Sequence, residues 1–373
     1  MAAPAGQLVE DGYAAAVFSL PLAESRLAPS LDEPRRASRA TAFGLMPQDL
    51  TALDVPAVLA TFERLQRPWL WQAGAPSLSR AARAVLEPLG LELPQVCERH
   101  PSEDGACKLL LAVGAERIEA VHMPRAVAGG RVTVCISSQV GCAMGCSFCA
   151  TASMGFQRHL SAGEIVAQVL RVVSELGPRQ PAALTLVFMG MGEPLHNLPQ
   201  VARAVRLLCH PRGLGLSPKR ITVSTSGLVP EIAELGALEV RPLLAISLNA
   251  TTDEVRRELM PIGRRYSLLE LRRALEAYPL RPRERVTVEY VLLAGVNDSP
   301  DDARRLAEFC RNFPHNINLI PYNSHSLAAY RAPVEASVDA FARALLAERP
   351  ALVTVRRSRG RDVHAACGQL VQS

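Results

Sequence analysis

Three cysteines, Cys142, Cys146 and Cys149, stand close together in the segment GCAMGCSFCA. Their spacing, C-x3-C-x2-C, places three thiols on one short loop after the strand-like run RVTVCISS. Three thiolates on such a loop can bind three irons of a 4Fe-4S cluster and leave the fourth iron open to a small chelating ligand. A fourth thiol, Cys135, lies in the strand-like run that precedes the loop.

A zinc site is the main alternative for these cysteines. Zinc prefers four ligands, and Cys135 or His159 would have to supply the fourth. Structural zinc motifs usually pair two C-x2-C units, whereas this loop combines two different spacings. A set of buried cysteines without a ligand is the third interpretation. The spacing favours the cluster.

Composition indicates a folded chain and permits a polyanionic partner. The chain of 373 residues is long enough for a large α/β domain with a smaller appendage, or for two ordinary domains. Its apolar content of 49% excludes global disorder. The net charge is +5, and every basic residue except Lys108 and Lys219 is an arginine. A planar guanidinium suits phosphate, although a general bias toward arginine explains this composition equally well.

Cysteine usage and the N-terminus predict a reducing compartment. The chain has nine cysteines, and its first residues, MAAPAGQLVEDGYAAAVFSL, lack the basic start and unbroken apolar core of a secretory signal. No run of eighteen apolar residues occurs, so we expect no membrane span. We therefore predict a cytoplasmic protein, in which clustered cysteines serve metal binding or catalysis rather than disulfides.

The pattern along the chain predicts three regions. Residues 1–45 have weak periodicity and predict a loosely ordered arm, and residues 46–130 predict an accessory domain of helices followed by β-strands. From residue 131 to residue 373, strand-like and helix-like segments alternate, which predicts a parallel α/β sheet, open or curled toward a barrel. Seven strands are predicted there: RVTVCISS, LTLVFMG, RITVSTS, LLAISLN, RVTVEYVLL, NINLIP and LVTVRRS.

Helix starts and strand ends indicate where the site lies. Capping signals predict helix starts at three pairs: Ser161 with Glu164, Ser267 with Glu270, and Ser299 with Asp302. Polar or glycine-rich segments follow nearly every predicted strand, among them the cysteine loop, GMGEPLHN, PYNS and SRGRDVHAACG. Because the carboxyl ends of parallel strands meet at one edge of a sheet, we expect the chemistry at that edge.

Seven motifs together resemble one family. The cysteine loop resembles the radical S-adenosylmethionine (SAM) superfamily, and the whole set resembles the RlmN/Cfr family of RNA methyltransferases within it. The resemblance runs from about residue 102 to the C-terminus. The motifs are CISSQVGCAMGCSFCAT, GMGEPLHN, ITVSTSGLVP, LAISLNATTDEVRRELMPI, VEYVLLAGVND, INLIPYN and RSRGRDVHAACGQL.

This resemblance implies a fold, a reaction and partners. The fold would be a partial (β/α) radical SAM barrel with a small N-terminal accessory domain of helices and β-strands. The reaction would methylate carbon 2 of an adenine, as in RlmN, or carbon 8, as in Cfr, in 23S ribosomal RNA, and RlmN also acts on tRNA. Two SAM molecules would be consumed per turnover, and an external one-electron donor such as flavodoxin would reduce the cluster. We expect a monomer.

The resemblance also implies roles for individual residues. Cys142, Cys146 and Cys149 would hold the cluster, whose open iron would bind SAM. Cys367, in AACGQL, would carry the methyl group, and Cys135 would be the resolving thiol, so that a disulfide between them would be transient. Strand alternation supports Cys135, because Thr133, Cys135 and Ser137 share one face of their strand.

Further residues match the family's SAM contacts. Several family members have histidine where Asn249 stands, and both side chains can form hydrogen bonds. A simple strand-to-loop turn is the alternative for GMGEP. The implied SAM contacts are Gly192, Glu193, Ser224, Ser247, Leu248, Asn249 and Asn323.

One carboxylate and an arginine-rich segment complete the implied site. Glu119 matches the family's proton acceptor, although an isolated carboxylate on a strand is more often solvated. The segment RRSRGR beside Cys367 is a candidate for phosphate binding, and we expect a flipped adenine at the mouth of the barrel. The remaining cysteines, Cys97, Cys107, Cys209 and Cys310, match no motif and predict structural roles.

Two other classes of function stay open at the level of sequence. One is a radical SAM enzyme with another target, such as a different RNA, a protein or a small molecule. Within that class, a glycyl-radical activator or a simple hydrogen abstractor would have no use for both Cys135 and Cys367. An RNA-binding protein with zinc or a cluster but no catalysis would leave GMGEP, SLN and PYN without purpose. The first 100 residues depart from the family, where only Trp69 and Trp71 resemble its aromatic-rich segment, and this departure bears on the choice of RNA.

Overall fold

A computed structural model describes most of the chain after residue 39. The described ranges are 40–72, 74–124, 131–176, 184–348, 352–357 and 359–371. Most of the arm predicted for residues 1–45 lies outside them. At its described end, Ala42 and Phe43 are fully buried, and they form a short 3-10 turn that packs on the first long helix of the second half.

Twelve strands are described, and ten of them form a single sheet. In chain order they are β1 (Val96–Pro101), β2 (Cys107–Val113), β3 (Glu116–Pro124), β4 (Val132–Cys135), β5 (Gln139–Gly141), β6 (Phe156–His159), β7 (Leu184–Phe188), β8 (Ile221–Thr225), β9 (Leu243–Ser247), β10 (Val286–Leu292), β11 (His315–Pro321) and β12 (Val353–Val355). The sheet order is β1-β2-β3-β4-β7-β8-β9-β10-β11-β12.

The seven predicted strands correspond to β4 and β7 to β12, and each neighbouring pair among them is parallel. This confirms the predicted parallel α/β sheet. Its strands are apolar because helices cover them; in β10, for example, Val286, Val288 and Tyr290 are fully buried. The described sheet is linear, with β1 and β12 at its two edges.

Eleven α-helices are described, most of them between strands. They are α1 (Pro47–Ala52), α2 (Val58–Gln66), α3 (Arg80–Leu86), α4 (Ala150–Ser153), α5 (Ala162–Glu175), α6 (Leu198–Cys209), α7 (Val229–Gly236), α8 (Asp253–Leu259), α9 (Leu268–Glu276), α10 (Pro300–Cys310) and α11 (Glu335–Ala347). None of these described helices has the length and apolar character that crossing a bilayer requires.

The three predicted capping boxes are present. At the start of α5, the Ser161 amide donates to the Glu164 carboxylate (2.9 Å), and the Glu164 amide donates to the Ser161 hydroxyl (3.2 Å). The same reciprocal pairs begin α9 and α10. Each box satisfies amides that the first turn of a helix leaves without intrahelical partners.

The accessory strands extend the main sheet. Strand β3 pairs antiparallel with β4, with Val121 opposite Cys135, so the β1–β3 meander lies directly beside the strand that carries Cys135. The domain boundary predicted at residue 130 falls on residues 125–130, outside the described chain, and stays a prediction. The meander is therefore in a position to shape the site.

A buried arginine fixes the meander to the second half. Arg158 is 1% exposed, and it donates to Glu164 at the start of α5 (2.8 Å) and to Glu116 in β3 (3.3 Å). It also donates to the Val113 carbonyl at the end of β2 (3.0 Å). Because a buried charge is costly unless it is paired, this network favours one arrangement of the meander relative to α5.

Candidate active site

A cavity of about 160 Å³ lies at the carboxyl ends of the parallel strands. The residues that close it come from the ends of β7 to β11, from the cysteine loop and from the chain's last segment. They are Cys142, Met144, Cys146, Phe148, Cys149, Thr151, Met189, Gly190, Gly192, Glu193, Ser224, Thr225, Ser226, Ser247, Asn249, Met260, Glu289, Val291, Ile320, Tyr322, Asn323, Cys367, Gly368 and Leu370. We call this space the cluster cavity.

The cysteine loop is held by a hairpin that the sequence did not reveal. Strands β5 and β6 flank the loop, and the Cys142 amide donates to the Gly155 carbonyl (3.1 Å). Gly141 has a φ of 72°, and a Cβ there would lie 1.8 Å from the Gly155 oxygen. Only glycine fits this close approach, which directs Cys142, Cys146 and Cys149 into the cavity. Two short strands interrupted by glycine give too little periodicity for prediction.

The three thiols fit a cluster. Burial raises the pKa of Cys142, Cys146 and Cys149, so bare thiols would stay protonated there, and positive iron is what favours thiolates. In the described residues, no three His, Cys, Asp or Glu side chains group as they would around one metal ion. A cubane cluster does not need such convergence, because each thiolate binds a different iron.

The two residues considered as a fourth zinc ligand lie elsewhere. Cys135 lines a second cavity, described below. His159 contacts the Gln139 amide nitrogen (3.2 Å) and packs edge-on against His196. Burial, assisted by His196, lowers the pKa of His159 to about 4. Neither residue is among those that line the cluster cavity with the three cysteines.

Glu193 and the glycines before it form a cradle beside the cysteines. Glu193 is 3% exposed, and its carboxylate accepts the amides of Leu195 (3.0 Å) and Ser226 (2.7 Å). Burial raises the pKa of Glu193, and these amides oppose the rise. Gly192 has a φ of 100°, and a Cβ there would lie 2.5 Å from the Gln139 side chain. The cavity thus presents a buried acceptor suited to an ammonium group.

The residues of the SLN segment differ in whether they line the cluster cavity. Ser247 lines the cluster cavity, and its hydroxyl lies 3.4 Å from that of Ser224. Leu248 is fully buried in the hydrophobic core and is absent from the described lining, so its contact with SAM stays a prediction.

Asn249 has a backbone conformation that explains the residue type. Its φ is 55°, a left-handed value that asparagine tolerates better than most residues. Its side-chain oxygen accepts the Val291 amide (2.9 Å), and its carbonyl accepts from Asn297 (2.8 Å). Asn249 therefore shapes the cavity wall as well as lining it.

Cys367 lies on a loop held at both ends. The side-chain amide of Asn323 donates to the Cys367 carbonyl (3.4 Å). The backbone amide of Ala150, next to the cysteine loop, donates to the Gly368 carbonyl (2.7 Å). Gly368 has a φ of 83°, a left-handed value that glycine adopts without a steric penalty. At the other end, Asp362 accepts from the Ser102 hydroxyl (2.6 Å) in the turn between β1 and β2.

A second cavity, of about 270 Å³, lies on the other side of Cys367. Thr133 and Cys135 line it together, which confirms the face predicted from strand alternation for these two residues. Ser137 lies beyond the end of β4 and is fully buried, with its hydroxyl donating to the Glu119 carbonyl (2.7 Å), so it does not belong to this face. The lining of the cavity is Met123, Thr133, Cys135, Met189, Arg356, Arg357, Arg359, Ala365, Ala366, Cys367 and Leu370. We call it the arginine cavity. Among the described cysteines, Cys367 is the one that lines both cavities.

The arginine-rich segment divides into inward and outward side chains. Arg356 donates to Glu289 (3.3 Å) and contacts the Met189 sulfur (3.6 Å), whereas Arg357 is 73% exposed and pairs with Glu335 (3.1 Å). Arg359 donates to the Pro124 carbonyl (2.7 Å). Sequence reasoning missed Glu289 and the inward position of Arg356. The available signal was a glutamate inside the apolar run RVTVEYVLL.

Glu119 is buried, so the alternative of a solvated carboxylate is wrong. It is fully buried on β3, with the Lys108 ammonium 3.0 Å away. It is not among the residues that line either cavity in the described chain. Its role as a proton acceptor stays a prediction.

The four cysteines outside the motifs differ in burial. Cys310 is buried in the core, Cys107 and Cys209 are half-buried, and Cys97 is exposed. Because Cys97 is exposed, it does not pack in the core, and the structural role predicted for it is wrong in that sense.

Comparison with known proteins identifies the family of this chain. The radical SAM superfamily model matches residues 136–309. The chain is 50% identical over 270 residues to the dual-specificity RNA methyltransferase RlmN of Geotalea uraniireducens, covering 72% of this chain and 76% of that protein. It is 47% identical to the RlmN of Syntrophobacter fumaroxidans, over 79% of this chain and 85% of that protein.

A solved structure is also similar. It is a radical SAM methyltransferase from Sphaerobacter thermophilus, with a TM-score of 0.80, 38% identity, and coverage of 90% of this chain and all of that chain. The predicted radical SAM fold and enzyme class are confirmed. The chain belongs to the RlmN family of radical SAM RNA methyltransferases.

Proposed function

We propose that this protein methylates carbon 2 of an adenine in RNA through a methyl group carried on Cys367. The observation that carries the proposal is the position of Cys367 on the wall between two cavities. One cavity holds the three cysteines and Glu193, and the other holds Cys135 and three arginines. A sulfur at this boundary can take a methyl group on one side and deliver it on the other.

Within the cluster cavity, Cys142, Cys146 and Cys149 would hold a 4Fe-4S cluster, and Glu193 would bind the ammonium group of SAM. Gly192, Ser224, Ser247, Leu248, Asn249 and Asn323 are the further proposed SAM contacts. When bound and reduced by an external one-electron donor such as flavodoxin, this pair supplies a 5′-deoxyadenosyl radical. The apolar lining residues, such as Met260 and Val291, exclude water from the reacting atoms.

Cys367 acts first as a nucleophile. Its thiolate attacks the methyl group of one SAM; the new bond is sulfur to carbon, and the electron pair of the broken sulfonium bond stays on the departing S-adenosylhomocysteine. The thiol proton leaves to solvent. A second SAM is consumed when one hydrogen atom is removed from the resulting thiomethyl group, so that each turnover uses two SAM molecules.

Cys135 completes the reaction. The methylene radical on the Cys367 sulfur adds to the adenine carbon, which leaves one unpaired electron on the adenine ring. A proton acceptor, proposed to be Glu119 or the Cys135 thiolate, removes the proton from that carbon, and the unpaired electron would return to the oxidised 4Fe-4S cluster, so that a closed-shell methylene bridge remains. Cys135 then attacks the Cys367 sulfur; a disulfide forms, the sulfur–carbon bond breaks, and its electron pair becomes available for protonation of the new methyl group. Reduction of the disulfide by a cellular thiol restores both cysteines.

The arginine cavity supports RNA as the substrate. Arg357 and Arg359 line it beside Cys135, and guanidinium groups bind phosphate well. We propose 23S ribosomal RNA as a substrate and tRNA as a second one, as the resemblance of the sequence motifs implies. The similar proteins are named dual-specificity RNA methyltransferases, which supports RNA as the substrate class. An adenine must leave its stack to reach Cys367, so we expect a flipped base. A cytoplasmic monomer is proposed.

Nucleoside mass spectrometry of RNA from a deletion strain tests the proposal. Loss of 2-methyladenosine from ribosomal RNA and tRNA, with recovery on complementation, is the expected result. Loss of 8-methyladenosine would move the reaction to the other carbon. Unchanged methyladenosines would contradict RNA methylation.

A resolving-thiol variant tests the roles of the two cysteines. In Cys135→Ala, the methylene bridge can form and has no thiol to break it, so we expect a covalent protein–RNA adduct on denaturing gels and product reduced to background. The exposed Cys97→Ala is the matched control and should release free product. Release of methylated RNA by Cys135→Ala would refute the role of Cys135.

A further inference from the structure

Arg356 stands between the two cavities in a way that RNA binding does not explain. Its guanidinium lines the arginine cavity and donates to Glu289 (3.3 Å), which lines the cluster cavity. Met189, which lines both cavities, contacts the same guanidinium nitrogen (3.6 Å). Arg356 is fixed further by its amide, which donates to the Leu319 carbonyl (2.8 Å). This side chain is held inward, next to the wall that carries Cys367.

The charged neighbours of Arg356 are two thiols and one carboxylate. Arg356 lines the arginine cavity together with Cys135 and Cys367, and its guanidinium donates to Glu289 (3.3 Å). The negative charge that Cys367, Glu289 and Cys135 can carry raises the pKa of Arg356. The effect is mutual: burial raises the pKa of Cys135 to about 12, and Arg356 opposes that rise. The charged and titratable groups facing the thiol pair are Cys149, Glu289, Arg356, Arg357 and Arg359.

We propose that Arg356 is a positioning residue that stabilises negative charge on the sulfurs of Cys367 and Cys135, with Glu289 holding its guanidinium in place and partly neutralising it. This inference rests on the proposed function of the two thiols. It separates Arg356 from the exposed arginines of the same segment, which remain available to phosphate.

The positive charge of Arg356 matters at the two steps in which a cysteine sulfur reacts as an anion. In methyl transfer, the Cys367 thiolate forms a bond to the SAM methyl carbon while the sulfonium bond breaks, and the Arg356 guanidinium in the cavity that Cys367 lines would stabilise that negative charge. In resolution, the Cys135 thiolate forms the disulfide while the sulfur–carbon bond breaks. An opposite charge at close range typically favours the anion by about tenfold or more.

The test measures thiol reactivity without turnover. Full-length protein with its cluster, unreduced and without SAM, is treated anaerobically with iodoacetamide from pH 6 to pH 10. Peptide mass spectrometry then reads Cys367 and Cys135 separately, and methylated Cys367 is distinguished by mass. In Arg356→Gln we expect the Cys367 profile to move to higher pH and the rate at pH 7.5 to fall about tenfold. Arg356→Lys, which keeps the charge, should stay near the wild-type profile.

Two further variants separate electrostatics from structure. Glu289→Gln removes the counter-charge, so the Cys367 profile should move to lower pH, opposite to Arg356→Gln; a loss of structure would move both in one direction. Arg361→Gln makes the same charge change at an exposed position outside both cavities and should leave the profile unchanged. Cys310 is buried, so its labelling by iodoacetamide reports unfolding. If Arg356→Gln unfolds, the Cys367 profiles of Glu289→Gln and Arg356→Lys test the electrostatic role of Arg356 instead.

Two outcomes overturn the inference. The first is identical Cys367 profiles for Arg356→Gln and wild type. The second is a Cys367 profile that moves to higher pH in Glu289→Gln, as it is expected to do in Arg356→Gln. The proposed function fails separately, if wild-type Cys367 accepts no methyl group from SAM.

Discussion

The two cavities on either side of Cys367 differ in the charge they present. The cluster cavity presents three thiols and the buried Glu193 carboxylate, which suit a metal cluster and an ammonium group. The arginine cavity presents three guanidinium groups beside Cys135, which suit a polyanion. This difference supports the proposal that the cofactor binds in the cluster cavity and RNA in the arginine cavity. Cys367 lines both cavities, so the proposed reaction takes place at the wall that they share.

The largest effect is expected from a substitution that disrupts the cluster cavity alone. Cys142→Ala removes one of the three proposed cluster ligands, so iron content and SAM cleavage should fall to background. RNA affinity, measured by filter binding, should stay at the wild-type level because the arginine cavity is untouched. Cys97→Ala is the control for cysteine loss. Equal loss of RNA binding in Cys142→Ala would mean that the two cavities are not independent.

A smaller effect is expected from the acceptor in the cluster cavity. Glu193→Gln replaces a charge-assisted hydrogen bond with a neutral one, and SAM affinity measured by calorimetry should fall about tenfold to a hundredfold. RNA affinity should not change. An unaltered SAM affinity would remove Glu193 from the cofactor site.

The pH dependence of SAM binding sharpens the same point. Burial raises the pKa of Glu193, so its carboxylate is protonated at a higher pH than that of an exposed glutamate. SAM affinity should therefore weaken as the pH falls through that raised pKa, and Glu193→Gln should lack this dependence. A parallel decline in wild type and variant would assign the titration to another group.

The smallest effect is expected at the rim of the arginine cavity. Arg357 is exposed and paired with Glu335, so Arg357→Gln should weaken RNA binding only about twofold to fivefold and reduce its salt dependence by about one counterion. SAM affinity should not change. Arg304→Gln, on the exposed face of α10, is the matched control. A salt dependence equal to wild type would place the phosphate elsewhere.

The sequence predicted the features that depend on neighbouring residues. The strands β4 and β7 to β12 follow from local apolar runs, and the capping boxes follow from Ser and an acidic residue three positions apart. The cysteine loop is equally local. Each of these signals lies within a few residues, where backbone periodicity and hydrogen bonding set the structure.

Features that depend on distant residues could not be predicted in this way. The β5–β6 hairpin that holds the cysteine loop depends on contact between Gly141 and Gly155. The inward position of Arg356 depends on Glu289, which lies on another strand. Glu119 could not be identified as buried, because its partner Lys108 is on the neighbouring strand β2. Pairings of this kind are set by tertiary packing. A single sequence does not reveal which residues of neighbouring strands lie opposite each other.

A single-turnover experiment with SAM carrying a deuterated methyl group tests the central claim most directly. Samples taken over time are digested, and the label on Cys367 and on adenine is measured by mass spectrometry. We expect label on Cys367 before any appears on RNA, and then a methyladenosine that has lost one deuterium. Labelled adenine that forms without prior labelling of Cys367, or in Cys367→Ala, would contradict transfer through this sulfur.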